Sequence, residues 1–165
     1  MSPKTQQVAL KLWHAWLAGG YLVAYVTADE DTYSMHLFAG YAVLAAVVVR
    51  LLAGAMATSG PWRLPRPRIG DSFVRLAARK GRNPLFAWFA VALLAGIGSA
   101  ATLGVFADAT AWLEDPHGAM AEASLWVIFG HIAFVTVMRG GARLLARAKD
   151  ALSGFRFVAT KETLR

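Results

Sequence analysis

The chain has 165 residues, of which 57% are hydrophobic and only 16% are Asp, Glu, Lys or Arg, against about 45–50% and about 25% in soluble domains. With a mean hydropathy of +0.46, it has more apolar surface than a core of this size can hide, which excludes an ordinary soluble domain and makes the bilayer the expected solvent. Seventeen Lys and Arg against ten Asp and Glu give a net charge of +7, yet long apolar runs separate the basic residues, which argues against nucleic acid as a partner. The absence of cysteine excludes disulfides and thiolate metal sites and leaves His and carboxylate as the metal ligands.

Intervals free of charge run over 12–28, 32–49, 83–107 and 123–138, each close to the ~18–20 residues that cross hydrocarbon. They predict an all-α, integral membrane four-helix bundle forming a single domain over 1–165, with spans at about 9–27, 34–54, 84–104 and 117–138. The first segment lacks a small-residue cleavage site before the acids at 29–31 and is read as a span, not a signal peptide. The loop at 55–83 opens with Gly60-Pro61-Trp62-Arg63-Leu64-Pro65-Arg66-Pro67, too rich in proline for a helix. Residues 71–80 then read as a basic amphipathic helix on the membrane surface. Asn83-Pro84 and Asp115-Pro116 each place a capping residue before a proline at a first helical position, predicting that spans three and four begin there. The tail at 139–165 continues span four as a basic extension near anionic lipid.

Loop charges set the orientation, because Lys and Arg are retained on the cytoplasmic side. Lys4 and Lys11 precede span one, seven basic residues lie from Arg63 to Arg82, and further ones follow from Arg139, whereas the other two loops hold only Asp29, Glu30, Asp31, Asp108, Glu114 and Asp115. Both termini are expected in the cytoplasm of a multi-pass protein of a bacterial inner membrane.

All four histidines, His14, His36, His117 and His131, fall within or at the edge of these spans, where ionisable groups are rare and usually functional. His14 and His131 share a level near the inner side, and His36 and His117 share a level near the outer side. His117 and His131 stand fourteen residues apart on one helix, close to four turns and about 21 Å, so one metal ion cannot use both. Two stacked cofactors can, with His14/His131 holding an inner haem b and His36/His117 an outer one through axial imidazoles from different helices. The interval from His36 to Arg50 repeats the spacing through Gly40, Val43 and Val47. Gly40 leaves room for a flat macrocycle or serves helix packing, and Arg50 either pairs with a haem propionate or snorkels to the inner interface. Glu122 points away from the His117/His131 stripe by roughly 140–180° and is either a proton carrier at a quinone pocket or a hydrated acid. Tyr21, Tyr25, Trp88 and Trp126 read as packing residues or interfacial anchors.

These features resemble the bacterial cytochrome b561 family, which includes the cytochrome b subunits of nickel–iron hydrogenases. The resemblance covers residues 8–140 and rests on Lys11 three before His14, on His36-Leu37-Phe38-Ala39-Gly40 followed by Arg50, on Gly81-Arg82-Asn83-Pro84-Leu85, and on the His117 to His131 interval. Departures occur at Ala15, which separates His14 from Trp16, and at Arg82, where the family has histidine; neither is a ligand. The resemblance implies a transmembrane dihaem b-type cytochrome that exchanges electrons between quinone and a redox partner, and the acidic outer loops suit a basic periplasmic partner such as a c-type cytochrome. Two alternatives stand beside it: an oxidoreductase acting on a small species such as superoxide with quinone as acceptor, and a haem-free four-helix transporter or assembly subunit.

Overall fold

The structure, a computed structural model, describes residues 2–67 and 84–162. Among them are four α-helices: α1 (Pro3–Val26), α2 (Tyr33–Met56), α3 (Leu85–Ala107) and α4 (Glu114–Glu162), with short 3-10 turns at Glu30–Thr32 and Ala111–Leu113. Three segments are long and apolar enough to cross a membrane, Glu30–Met56, Leu85–Ala107 and Ala111–Met138. At 24 residues α1 is also long enough, at about 36 Å, but Lys4, Gln6, Gln7, Lys11 and His14 make its first half too polar to join them. Exposed apolar side chains such as Phe38, Met56 and Val137 suit contact with lipid tails. The surface helix expected over 71–80 and the cap expected from Asn83 lie outside the described residues.

Local chemistry sets the helix ends. Ser2 caps α1 by accepting from the Thr5 N–H at 3.2 Å, with Pro3 in the first turn. Thr27 closes the helix, its N–H and its hydroxyl both donating to the Val23 carbonyl. Pro84 stands just before α3 as its capping residue. The fourth helix begins at Glu114, two residues before the start expected at Pro116. The first turn of a helix needs no N–H from its residues, so a proline two positions in does not delay the start. The same helix runs to Glu162.

The chain divides into two compact units, Met1–Val127 and Ile128–Arg165, with the boundary inside α4. In the first, α2 packs against both α1 and α3. Its buried stripe is Ala39, Val43, Ala46, Val47 and Arg50. A Cβ on Gly20 of α1 would lie 3.2 Å from Val43, and one on Gly98 of α3 would lie 3.3 Å from Val47. The glycines therefore let neighbouring backbones approach, as small residues do where no hydrophobic effect drives helices together. Ser124 of α4 is buried, and its Oγ stands 2.7 Å from where a Gly96 Cβ would be. The second unit continues the helix, with Ile132, Val137 and Met138 exposed.

Candidate cofactor site

At the end of the first unit that carries Asp29–Asp31 and Asp108, here termed the acidic end, His36 of α2 meets His117 of α4. Their ring centroids are 5.9 Å apart and the ring planes are turned by 78°. Both rings are half-buried, and each is held by a carbonyl of a different helix. The His36 Nδ1 lies 2.8 Å from the Ala24 carbonyl oxygen of α1, and the His117 Nδ1 lies 2.9 Å from the Ala100 carbonyl oxygen of α3. A carbonyl only accepts, so both Nδ1 atoms carry a proton, which in the neutral tautomer leaves the lone pair on Nε2. This is the arrangement by which metal-binding histidines are oriented and made more basic.

Helix architecture explains why these carbonyls are the partners. Ala24 lies in the last turn of α1, where carbonyls lack a partner within the helix, and His36 satisfies it. Gly104 of α3 makes room for the other ring, since a Cβ there would stand 2.9 Å from His117 Cε1 and 3.2 Å from its Nδ1. Tyr33 lies nearly parallel to His36, with centroids 5.9 Å apart and planes 15° apart. Its hydroxyl donates to Asp108 Oδ1 at 3.0 Å. On α1, Tyr21 is buried, stacks on Tyr25 and donates to the Ala121 carbonyl at 2.7 Å.

The donor set fits axial ligation of haem at this pair. Among the described residues no group of three or more His, Cys, Asp and Glu side chains is placed to hold a metal ion. Two imidazoles from different helices are the donor set that a group bringing its own further ligands, such as a tetrapyrrole, would use. His36 and His117, with ring centroids 5.9 Å apart, are the two residues that would hold such a group. Along the His36 stripe, a Cβ on Gly40 would meet no atom within 4 Å, so helix packing does not fill that position.

The other layer is less complete. His14 is exposed on α1 beside Trp13, with centroids 6.3 Å apart, and His131 is half-buried on α4. They belong to different units, and their pairing rests on the sequence register. Arg50 does not snorkel. It is 6% exposed, and its Nη1 donates to the Trp62 carbonyl at 2.5 Å and its Nη2 to the Arg63 carbonyl at 3.5 Å. The guanidinium carbon lies 5.7 Å from the Trp13 ring centroid and 5.6 Å from that of Trp62. A propionate at this level would have to use the donors those carbonyls leave. Glu122 is exposed, in line with a hydrated acid.

Sequence reasoning missed the hydrogen bonds of Tyr21 and Tyr33 and the space that Gly104 gives to His117. Tyrosine near a span end reads as an anchor, and only the packing shows which one turns inward. No family model, curated protein or solved structure matches the chain.

Proposed function

We propose that the protein is a dihaem b-type cytochrome of a bacterial inner membrane, moving electrons between the quinone pool and a periplasmic redox partner such as a c-type cytochrome. The carrying observation is the His36/His117 pair, two rings from different helices 5.9 Å apart, each with Nδ1 on a carbonyl and Nε2 left as a ligand. The likeness to the cytochrome b561 family supports the same reading. In this proposal α1 is the fourth span of a four-helix bundle. Both termini and the basic loop are cytoplasmic, because that side retains Lys and Arg.

Bound haem iron supplies reversible one-electron exchange. His36 and His117 would hold the outer group, and His14 and His131 the inner one. With two imidazoles as its protein ligands, such a haem would serve electron transfer in preference to chemistry on a bound small molecule. The carbonyls of Ala24 and Ala100 fix the outer ligand tautomers, and Gly104 gives the His117 ring its place.

The purified chain is expected to bind close to two haems with bis-histidine b-type spectra. His36→Ala and His131→Ala should each remove one haem and leave the other. A colourless, folded preparation would overturn the proposal in favour of a haem-free subunit. Stopped-flow reduction by quinol, by cytochrome c and by superoxide then separates a carrier from an oxidoreductase with a small substrate.

A further inference from the structure

We infer that Tyr21 and Tyr33 are positioning residues for the His36/His117 pair, a role that rests on the haem reading above. Each ligand is oriented within its own pair of helices: His36 of α2 by the Ala24 carbonyl of α1, and His117 of α4 by the Ala100 carbonyl of α3. Those bonds aim the rings but do not fix the distance between them. That distance depends on how the α1–α2 pair is held against α3 and the first part of α4.

The contacts of Val47 with Gly98 are apolar and non-directional, and they tolerate sliding. The two tyrosine hydroxyls are directional and cross the gap. Tyr21 of α1 donates to the Ala121 carbonyl of α4 at 2.7 Å, and Tyr33 of α2 donates to the Asp108 carboxylate, just past the end of α3, at 3.0 Å. Tyr21 lies three residues before Ala24 and Ala121 four after His117; Tyr33 lies three before His36 and Asp108 four after Gly104. Every end of the two bonds is thus about one helical turn from a ligand or from a residue that holds or seats one. Tyr33 also lies nearly parallel to the His36 ring, so its tether to Asp108 limits swinging of that ligand.

Hydrogen bonds between membrane helices shift equilibria by roughly 3-fold on average, so two such bonds should matter together more than either alone. The test uses the full chain purified in detergent, with Tyr21→Phe, Tyr33→Phe and the double variant. Phe keeps each ring and removes only the hydroxyl. The outer haem is identified as the one lost in His36→Ala. In the double variant it is expected to gain a high-spin fraction and to bind carbon monoxide when reduced, by roughly 3-fold or more over the single variants, while the inner haem is unchanged. Since the chain has no cysteine, Glu30→Cys and Ala111→Cys carry spin labels at exposed positions on the two sides of the gap. In haem-free protein their distance distribution should broaden when both hydroxyls are gone. Should the double variant not accumulate as folded protein, the single variants decide the matter by the same measurements.

Two haems in the unaltered chain, with the outer signal and the label distances unmoved in the folded variants, would overturn this inference alone. Absence of haem from the folded, unaltered chain would overturn the cytochrome reading and this inference with it.

Discussion

Gly104 is the residue on which the seat of His117 depends most directly. An added Cβ would come within 2.9 Å of the ring, and the ring cannot retreat without leaving the Ala100 carbonyl that holds its Nδ1. Gly104→Ala should therefore remove the outer haem and spare the inner one, so that the haem count falls from two to one and the remaining spectrum disappears on adding His131→Ala. Gly40 makes the opposite case, because a Cβ there meets nothing within 4 Å. Gly40→Ala should leave the haem-free chain as stable as before, or more stable by up to about 1 kcal/mol from helix propensity. It should lower outer haem occupancy if a macrocycle uses that face. Full occupancy by two haems in Gly40→Ala would show that the macrocycle lies elsewhere. The approach of His36 to His117 was legible in the sequence because spacing and residue type carry it. Gly104 was not, since a glycine in an apolar run gives no sign of which side chain it admits.

At the scale of the element, charge-free intervals located the helices, because a segment that must bury its backbone in hydrocarbon excludes charge along its whole length. Their ends were less legible: Asp115-Pro116 reads as a cap from composition, whereas α4 already begins at Glu114. Arg50 is the instructive exception to reading a charge from its distance to the end of a helix. Six residues before the end of α2, it could reach water, yet it turns to the start of the following loop and lies beside both Trp13 and Trp62, which touch each other edge-on. Trp13 in turn donates to the Ala46 carbonyl at 2.7 Å, and Gly54 admits Leu64 from the same loop. A turn at Gly60, whose φ of +86° suits glycine, brings the loop back to that position. Arg50→Ala should leave the Trp62 carbonyl without its donor and open space beside the two indoles. The expected loss is about 2–3 kcal/mol, read as a lower unfolding midpoint in detergent, with proteolysis near residues 58–67 accelerated. Arg50→Lys should restore only part of it, because an ammonium lacks the planar fork and stacks poorly. An unchanged midpoint and cleavage rate in Arg50→Ala would show that the guanidinium does not hold this loop.

At the scale of the whole molecule, the described acids of the first unit gather at one end, and this acidic end is where the proposed outer haem would exchange electrons. Asp29, Glu30, Asp31, Asp108, Glu114, Asp115 and Glu122 are all exposed, and the two short connections at that end contain no Lys or Arg. Cytoplasmic retention of basic residues accounts for the missing cations but does not call for acids in their place, since Asp and Glu contribute little to topology. A concentrated negative surface beside the His36/His117 pair would steer a positively charged soluble protein and raise its association rate. Exposed charges act through solvent and are screened beyond a Debye length of about 8 Å near physiological ionic strength. Electron exchange with a basic c-type cytochrome should therefore slow as salt is raised. It should slow in the same way at low salt when Asp29→Asn, Glu30→Gln and Asp31→Asn are combined. Asp108 is left intact in that variant because its carboxylate also holds Tyr33, and neutralising it would mix steering with ligand positioning. The second-order rate from stopped-flow absorbance is the measurement. A rate that responds to salt but not to the triple substitution would move the docking surface away from residues 29–31, and one that responds to neither would remove the acidic end from the docking surface.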